Sequence, residues 1–150
     1  MNQFIGTKII NAKPMKLKAA TELLGRDFGY KGPLDENDDY DGYLVEYHDG
    51  YQAWSPGYAF NSAYRPITGM SFGLAVEAMK MGKRVCRAGW NGKGMWLGYV
   101  EADNYTVGYL PIDITLQTLP WIGMKTADDK FVPWLASQTD VLADDWMIVE

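Results

Sequence analysis

The chain has 150 residues, a length typical of one domain or of two very small ones. Its net charge of −5 at pH 7 lacks the basic excess that a general binder of duplex DNA or of anionic membranes needs, so neither partner is expected. The composition is 47% hydrophobic and 14% aromatic, and rigid aromatic side chains either fill a core or stack on planar ligands.

Cysteine and histidine content limits the chemistry of the protein. Cys86 is the only cysteine, so no intramolecular disulfide can form, and we expect it to be a small buried hydrophobe. The start of the chain lacks the apolar run of a signal peptide, which favours a reducing cytoplasm. One histidine, His48, and one cysteine cannot build a His/Cys metal site. The sequence therefore predicts no metal and no cofactor.

The sequence divides into two units, 1–68 and 69–150, joined by a breaker-rich stretch over 66–69. In the first unit, Asp49-Gly50 between aromatic-rich runs predicts a hairpin, and Ser55-Pro56 predicts a helix start with Ser55 as the cap. The expected elements are a strand over 4–10, a helix through 19–24 that ends near Gly25, strands over 43–47 and 51–54, and a helix from 56.

An acidic run over 35–42 precedes the first predicted hairpin. Its spacing matches the first half of a calcium loop, but His48 stands where a closing glutamate is required. We therefore expect a solvated acidic turn.

The second unit has clearer signals. Ser71 precedes apolar residues at helical spacing and Gly82 follows them, which predicts a capped helix. The remaining expected elements are strands over 84–87 and 95–100, a hairpin of 124–125 with 131–134, a short helical turn begun by Ser137, and a closing strand over 146–149. The predicted class is α+β, with small antiparallel β-sheets each packed by a short helix.

One candidate site is the turn RAGWNGKGMW over 87–96. Its glycines are neither a P-loop nor a dinucleotide fingerprint, and they can simply supply the positive φ angles of a turn. Trp90 is unusual there, because a bare hairpin turn favours small polar residues. It either folds inward as part of the core or contacts a ligand, and the residues alone leave both interpretations open.

A second candidate is LASQTDVLADDW, over 135–146. Ser137, Gln138, Thr139 and Asp140 place hydroxyl, amide and carboxylate groups beside the free N–H groups of a helix start, which suits phosphate or ribose hydroxyls. A simple capping box explains the same residues. No nucleophile is evident near His48, so the sequence predicts no enzyme.

The second unit resembles the phage Thoeris anti-defence family of the second type, members of which are also described as a type I toxin or as a domain of unknown function. The matching motifs cover most of 69–150: the helix that ends at Gly82, RAGWNGKG, KTAD, VPWLASQTD and the final DDW. Residues 1–68 resemble a module found fused to such domains in phage proteins.

The resemblance implies sequestration rather than turnover, in the host cytoplasm. Proteins of this family are homo-oligomers, tetramers in the type examples, that bind cyclic nucleotide immune signals. These are glycocyclic ADP-ribose made by TIR-domain enzymes and, in some members, cyclic dinucleotides. A pocket between protomers is implied, in which aromatic side chains stack on purines.

By matching motif, the resemblance implies a ligand-binding set from both segments. Trp90 would lie against a base, and Arg87 would contact a phosphate or pair with a nearby acid. Trp96 and Trp134 are expected in the core, and Trp146 is unassigned. The full set is Arg87, Trp90, Asn91, Gly92, Ser137, Gln138, Thr139 and Asp140.

Two positions depart from the family pattern: Gly123 stands where an acid is expected, and Asp129 stands where a turn glycine is usual. Two other functions stay open. One is a hydrolase of the same signals that uses Asp140, Asp144 or Asp145. The other is a protein-interaction module or toxin that acts on a host protein.

Overall fold

The computed structural model describes residues 1–3, 5–32, 39–90, 94–103 and 117–149. The chain forms two compact units, Met1–Arg65 and Pro66–Glu150. The dividing line precedes the sequence boundary at 68 because the N–H of Ile148 donates to the carbonyl of Ile67 (2.9 Å), which ties 66–68 to the second unit. No helix in the described ranges is long and apolar enough to cross a membrane.

The described residues of the first unit form a three-stranded antiparallel sheet with two helices. Its elements are β1 (Asn11–Pro14), α1 (Leu17–Leu24), β2 (Gly42–Glu46), β3 (Gln52–Pro56) and α2 (Gly57–Ala63), and the strand order is β1-β2-β3. Trp54 of β3 is buried, and its indole N–H donates to the carbonyl of Met15 (2.8 Å). Leu44 of β2 is the cross-strand partner of Trp54, and Tyr43 faces the opposite side of the sheet. The ring of Tyr43 stacks on the ring of Phe60 in α2, with the ring centroids 4.0 Å apart.

Several expectations for this unit are confirmed. α1 ends at Gly25, which has a φ of 63°, and the β2–β3 hairpin turns through Gly50, which has a φ of 81°. Two are wrong. Residues 5–10 form no strand, because the ladder with β2 begins only at Asn11 and Ile5 is fully exposed. Ser55 does not cap α2, because it is paired with Tyr43 inside the sheet.

The acidic run is not wholly solvated. Residues 33–38 lie outside the described part of the chain, but Asp39 is buried and accepts hydrogen bonds from the N–H groups of Lys18 (3.2 Å) and Tyr40 (2.8 Å). Lys18 lies in the first turn of α1, where helical N–H groups have no partner within the helix. Asp39 therefore caps α1 from a distant part of the sequence.

In the part of the second unit that the structure describes, the strands form a five-stranded antiparallel sheet in the order β7-β6-β5-β4-β8. Its elements are α3 (Phe72–Lys80), β4 (Arg84–Arg87), a 3-10 turn (Ala88–Trp90), β5 (Trp96–Val100), β6 (Trp121–Lys125), β7 (Phe131–Pro133), α4 (Gln138–Val141) and β8 (Trp146–Val149). Each element expected in the described part of this unit is present, and β6 begins earlier than predicted. The two antiparallel sheets and their short helices confirm the α+β class.

The core of this unit lies between α3 and one face of the sheet. Ser71 caps α3, with its hydroxyl accepting from the Leu74 N–H (3.5 Å), and Gly82 ends it with a φ of 79°. The helix contributes Ala75, Ala78 and Met79, and the strands contribute Val85, Leu97 and Trp146. Cys86 is buried as predicted, and burial followed by the negative charge of Asp145 raises the pKa of its thiol.

Candidate ligand-binding site

Strand direction brings three connecting segments to one end of the five-stranded sheet. β4 and β6 run toward this end, and β5, β7 and β8 begin there. The segments are the connection between β4 and β5, described at 88–90 and 94–95, the turn over 126–130, and residues 137–145 with α4. The two stretches singled out in the sequence are therefore neighbours in space. Asn91 and Gly92, predicted ligand-binding residues, lie outside the described residues.

Arg87 joins two of these segments at the last residue of β4. Its Nε donates to Oδ1 of Asp145, its Nη1 donates to Oδ1 of Asp140 (2.9 Å), and the same Nη1 donates to the carbonyl of Thr139 (3.3 Å). The hydrogen bond to Asp145, followed by that to Asp140, raises the pKa of Arg87 despite partial burial. Of the two roles left open by the sequence, pairing with acids is the one this geometry displays.

The 137–140 segment is held by a capping box. The N–H of Asp140 donates to the hydroxyl of Ser137 (3.2 Å), and the N–H of Ser137 donates to Oδ2 of Asp140 (3.2 Å). Burial raises the pKa of Asp140, but hydrogen bonds from Ser137 and the charge of Arg87 outweigh it and hold the pKa below the ordinary value. The three residues that precede Asp140, namely Ser137, Gln138 and Thr139, are exposed.

Trp90 is half-buried and lies at the edge of an aromatic cluster. Its ring packs edge-to-face against Trp146 (centroids 5.6 Å apart) and Trp134 (6.3 Å). Trp146, unassigned from the sequence, is fully buried, and its indole N–H donates to the carbonyl of Asp140 (3.0 Å). Trp134 packs against the core, as predicted. Trp90 thus packs against the core and remains partly exposed as a residue.

Trp96 is not in this core, contrary to expectation. It alternates with the buried Leu97 along β5 and so faces the opposite side of the sheet. There it packs against Phe131 (5.9 Å) and lies beneath the guanidinium of Arg84 (5.4 Å). The sequence could not assign this face, because both sides of β5 carry large apolar residues.

The two departures from the family pattern have structural correlates. The ring of Phe131 lies over Gly123, so that a Cβ at this position would overlap it. Asp129 has a φ of 61°, in the left-handed region that favours glycine. Both positions belong to the β6–β7 hairpin.

One residue near the site was not selected from the sequence. The Nζ of Lys125, at the end of β6, lies 2.5 Å from Oδ1 of Asp129 and 3.5 Å from the position that a Cβ on Gly94 would occupy. In the sequence, Lys125 belongs to the predicted 124–125 hairpin strand and to the KTAD motif, and neither pattern predicts a binding role for it. Its place at a strand end beside a glycine turn is the signal that could have found it.

The fold and the site define a small α+β domain whose connecting segments converge on one end of an antiparallel sheet. Residues 70–149 match the Thoeris anti-defense 2-like domain family, so the chain belongs to that family and the resemblance seen in the sequence is confirmed. Among known proteins, it is similar to Thoeris anti-defense 2 of Bacillus phage SP01, with 43% identity over 88 residues that cover 55% of this chain and 97% of that protein. This relationship supports a phage anti-defence role.

Proposed function

We propose that the second unit binds a cyclic nucleotide immune signal and sequesters it without degrading it. Glycocyclic ADP-ribose is the first candidate, and cyclic dinucleotides are the second. The observation that carries this proposal is the junction at Arg87, which brings the Trp90 turn beside the exposed polar segment 137–140. Family membership supplies the anti-defence setting.

The chemistry of the two segments suits such a ligand. The half-buried Trp90 offers an aromatic side chain for a purine, and the Ser137 and Thr139 hydroxyls and the Gln138 amide offer hydrogen bonds to ribose and phosphate. Asn91 and Gly92 complete the proposed set from the same turn. The proposed pocket lies between protomers of a homo-oligomer, a tetramer by resemblance, in the host cytoplasm.

The acids at this end of the sheet support binding rather than hydrolysis. Asp140 and Asp145 are both hydrogen-bonded to Arg87. A carboxyl group with a lowered pKa, such as that of Asp140, is a poor proton donor near pH 7. We therefore propose no catalytic step, and neither a metal nor another cofactor.

Isothermal titration with glycocyclic ADP-ribose tests binding, and recovery of the ligand after heat denaturation of the protein tests whether it stays intact. Saturable binding with intact ligand supports the proposal. Ligand cleaved in a time-dependent manner would identify a hydrolase instead. Native mass spectrometry with a panel of cyclic nucleotides then reports the oligomer and the bound mass together.

A protein-interaction module is the second candidate function, favoured by exposed apolar side chains near the site. Leu135 is 92% exposed and Leu142 is 78% exposed. A pull-down from host lysate that survives Trp90→Ala and needs no nucleotide would support this function over signal binding. Residues 1–68 are proposed as a phage-associated module joined to the signal-binding domain over 69–150.

A further inference from the structure

Arg87 faces more negative charge than it can neutralise. Two carboxylates, those of Asp140 and Asp145, accept its hydrogen bonds, and the carbonyl of Thr139 accepts a third. Only 23% of the Arg87 side chain is exposed, so its charge is directed into the protein. A phosphate at this guanidinium would have to displace a carboxylate, or sit beside two of them against their repulsion.

The same contacts fix the relative positions of the two site segments. Arg87 immediately precedes the 3-10 turn that carries Trp90, while Asp140 ends the polar segment and Asp145 precedes β8. Two further bonds run in parallel: the Ala88 N–H donates to the carbonyl of Asp145 (3.1 Å), and the Trp146 indole N–H donates to the carbonyl of Asp140 (3.0 Å).

We propose that Arg87 is a positioning residue of the ligand site, which holds the Trp90 turn against the 137–140 segment and does not contact the ligand's phosphates. This inference rests on the proposed function. The fork geometry of a guanidinium is essential to it, because a single lysine ammonium lacks the planar set of donors that reaches two carboxylates and a carbonyl in fixed directions.

The two roles of Arg87, positioning and phosphate contact, predict opposite changes in ligand affinity for the Asp145→Asn variant. If Arg87 positions the segments, loss of this charged partner loosens them, and the dissociation constant for glycocyclic ADP-ribose rises by roughly 5-fold, the low end of the usual range for coupled sites, because asparagine keeps an acceptor oxygen. If Arg87 binds phosphate, removal of a competing carboxylate frees the guanidinium and binding becomes tighter. Tighter binding by Asp145→Asn would overturn the inference.

Arg87→Lys gives a second, independent comparison with Arg87→Ala. If Arg87 is a positioning residue, Arg87→Lys should bind the ligand almost as weakly as Arg87→Ala. The affinity of both variants should depend on salt concentration as steeply as that of the wild type, because neither substitution removes a contact with the ligand. A phosphate contact predicts that lysine keeps most of the affinity and that alanine flattens the salt dependence. The latter pair of results would also overturn the inference.

Two control variants exclude a general loss of stability. Val85→Ala opens a cavity in the same strand, so it lowers the unfolding midpoint and leaves the dissociation constant unchanged at a temperature where the protein is folded. Lys80→Ala removes an exposed ion pair with Glu77 and changes neither quantity appreciably. If Val85→Ala lost affinity to the same degree as Arg87→Ala, the positioning role would be overturned in favour of a purely structural one.

The wild-type measurement separates failure of this inference from failure of the proposed function. A wild-type protein that binds no cyclic nucleotide overturns the proposed function and the positioning role with it. A wild-type protein that binds, together with an Asp145→Asn variant that binds more tightly, overturns the positioning role alone.

Discussion

The aromatic ring of Phe131, the first residue of β7, lies over the backbone of Gly123 in the neighbouring strand β6. The ring occupies the space in which a side chain at position 123 would stand. The Phe131 ring thus fills the space that glycine leaves at a position where the sequence resemblance led us to expect an acid. It also makes the two positions interdependent.

Gly123→Asp is expected to lower the free energy of unfolding by about 1–3 kcal/mol, because the new side chain must displace the Phe131 ring. Adding Phe131→Ala should recover part of this loss, and urea unfolding of the four proteins in the double-mutant cycle measures the coupling. Gly73→Ala is the matched control, since its Cβ meets only the Ser71 hydroxyl at 3.9 Å within α3. Additive effects of the two substitutions would contradict the packing described here.

Asp129→Gly is expected to stabilise the protein by a few tenths of a kcal/mol to about 1 kcal/mol. Glycine removes the steric strain that a side chain suffers at a φ of 61°. We expect this gain in free energy to exceed the cost of the greater conformational entropy of glycine in the unfolded chain. The ion pair lost with Lys125 contributes little, because Asp129 is 82% exposed. The midpoint of urea unfolding reports the change. Asp128→Gly serves as the control and should destabilise, because that residue lacks a positive φ and bonds Thr126 and Lys130.

Trp146→Ala should mainly reduce the stability of the protein, whereas Trp90→Ala should mainly reduce its affinity for the ligand. Trp146 is fully buried, so its removal costs about 3–5 kcal/mol. Trp90 is half-buried, so its removal costs about 1–3 kcal/mol and leaves the protein folded at 25 °C, but we expect it to abolish signal binding. Thermal unfolding and titration calorimetry on the same samples make the comparison. An unfolded Trp90→Ala protein would show that the ring serves only the core.

The stability supplied by Asp140 should depend on pH in a defined direction. Its folded-state pKa lies below the unfolded value of about 3.9, so its contribution is fully present above that pH and disappears as the pH falls through the folded-state pKa. The difference in unfolding free energy between wild type and Asp140→Asn should therefore be largest near pH 7 and shrink in acid. Asp144→Asn, which alters an exposed neighbour, is the matched control. A gap that widened in acid would contradict this account.

Local signals in the sequence predicted most elements of the second unit. Ser71 and Gly82 delimit α3, Ser137 starts α4, and β4 has the predicted bounds. These features depend on residues within a few positions of one another, through capping hydrogen bonds and the φ preference of glycine. The motifs in the same unit also identified its family, which residues 70–149 confirm.

The structure of the first unit was less predictable from its sequence, because pairing between distant strands overrides the local preferences of its residues. The β-branched residues near Ile5 favoured a strand, yet the ladder with β2 begins at Asn11. Ser55 has the chemistry of a cap, but its pairing with Tyr43 retains it in the sheet. Asp39 reaches the first turn of α1 because the pairing of Pro14 with Tyr43 brings the end of β1 beside the start of β2, a contact that no local pattern encodes.

The sequence by itself determined the α+β class, the caps of α3 and α4 and the family of the second unit, because each depends on short-range patterns or on motifs along the chain. Only the tertiary structure decided that Trp96 faces away from the core, that Trp146 lies at its centre, and that Arg87 is bonded to Asp140 and Asp145. These last relationships join residues more than fifty positions apart in the chain. They arise because the antiparallel order of the strands brings the ends of β4 and β8 together, and no pattern along the sequence specifies that pairing.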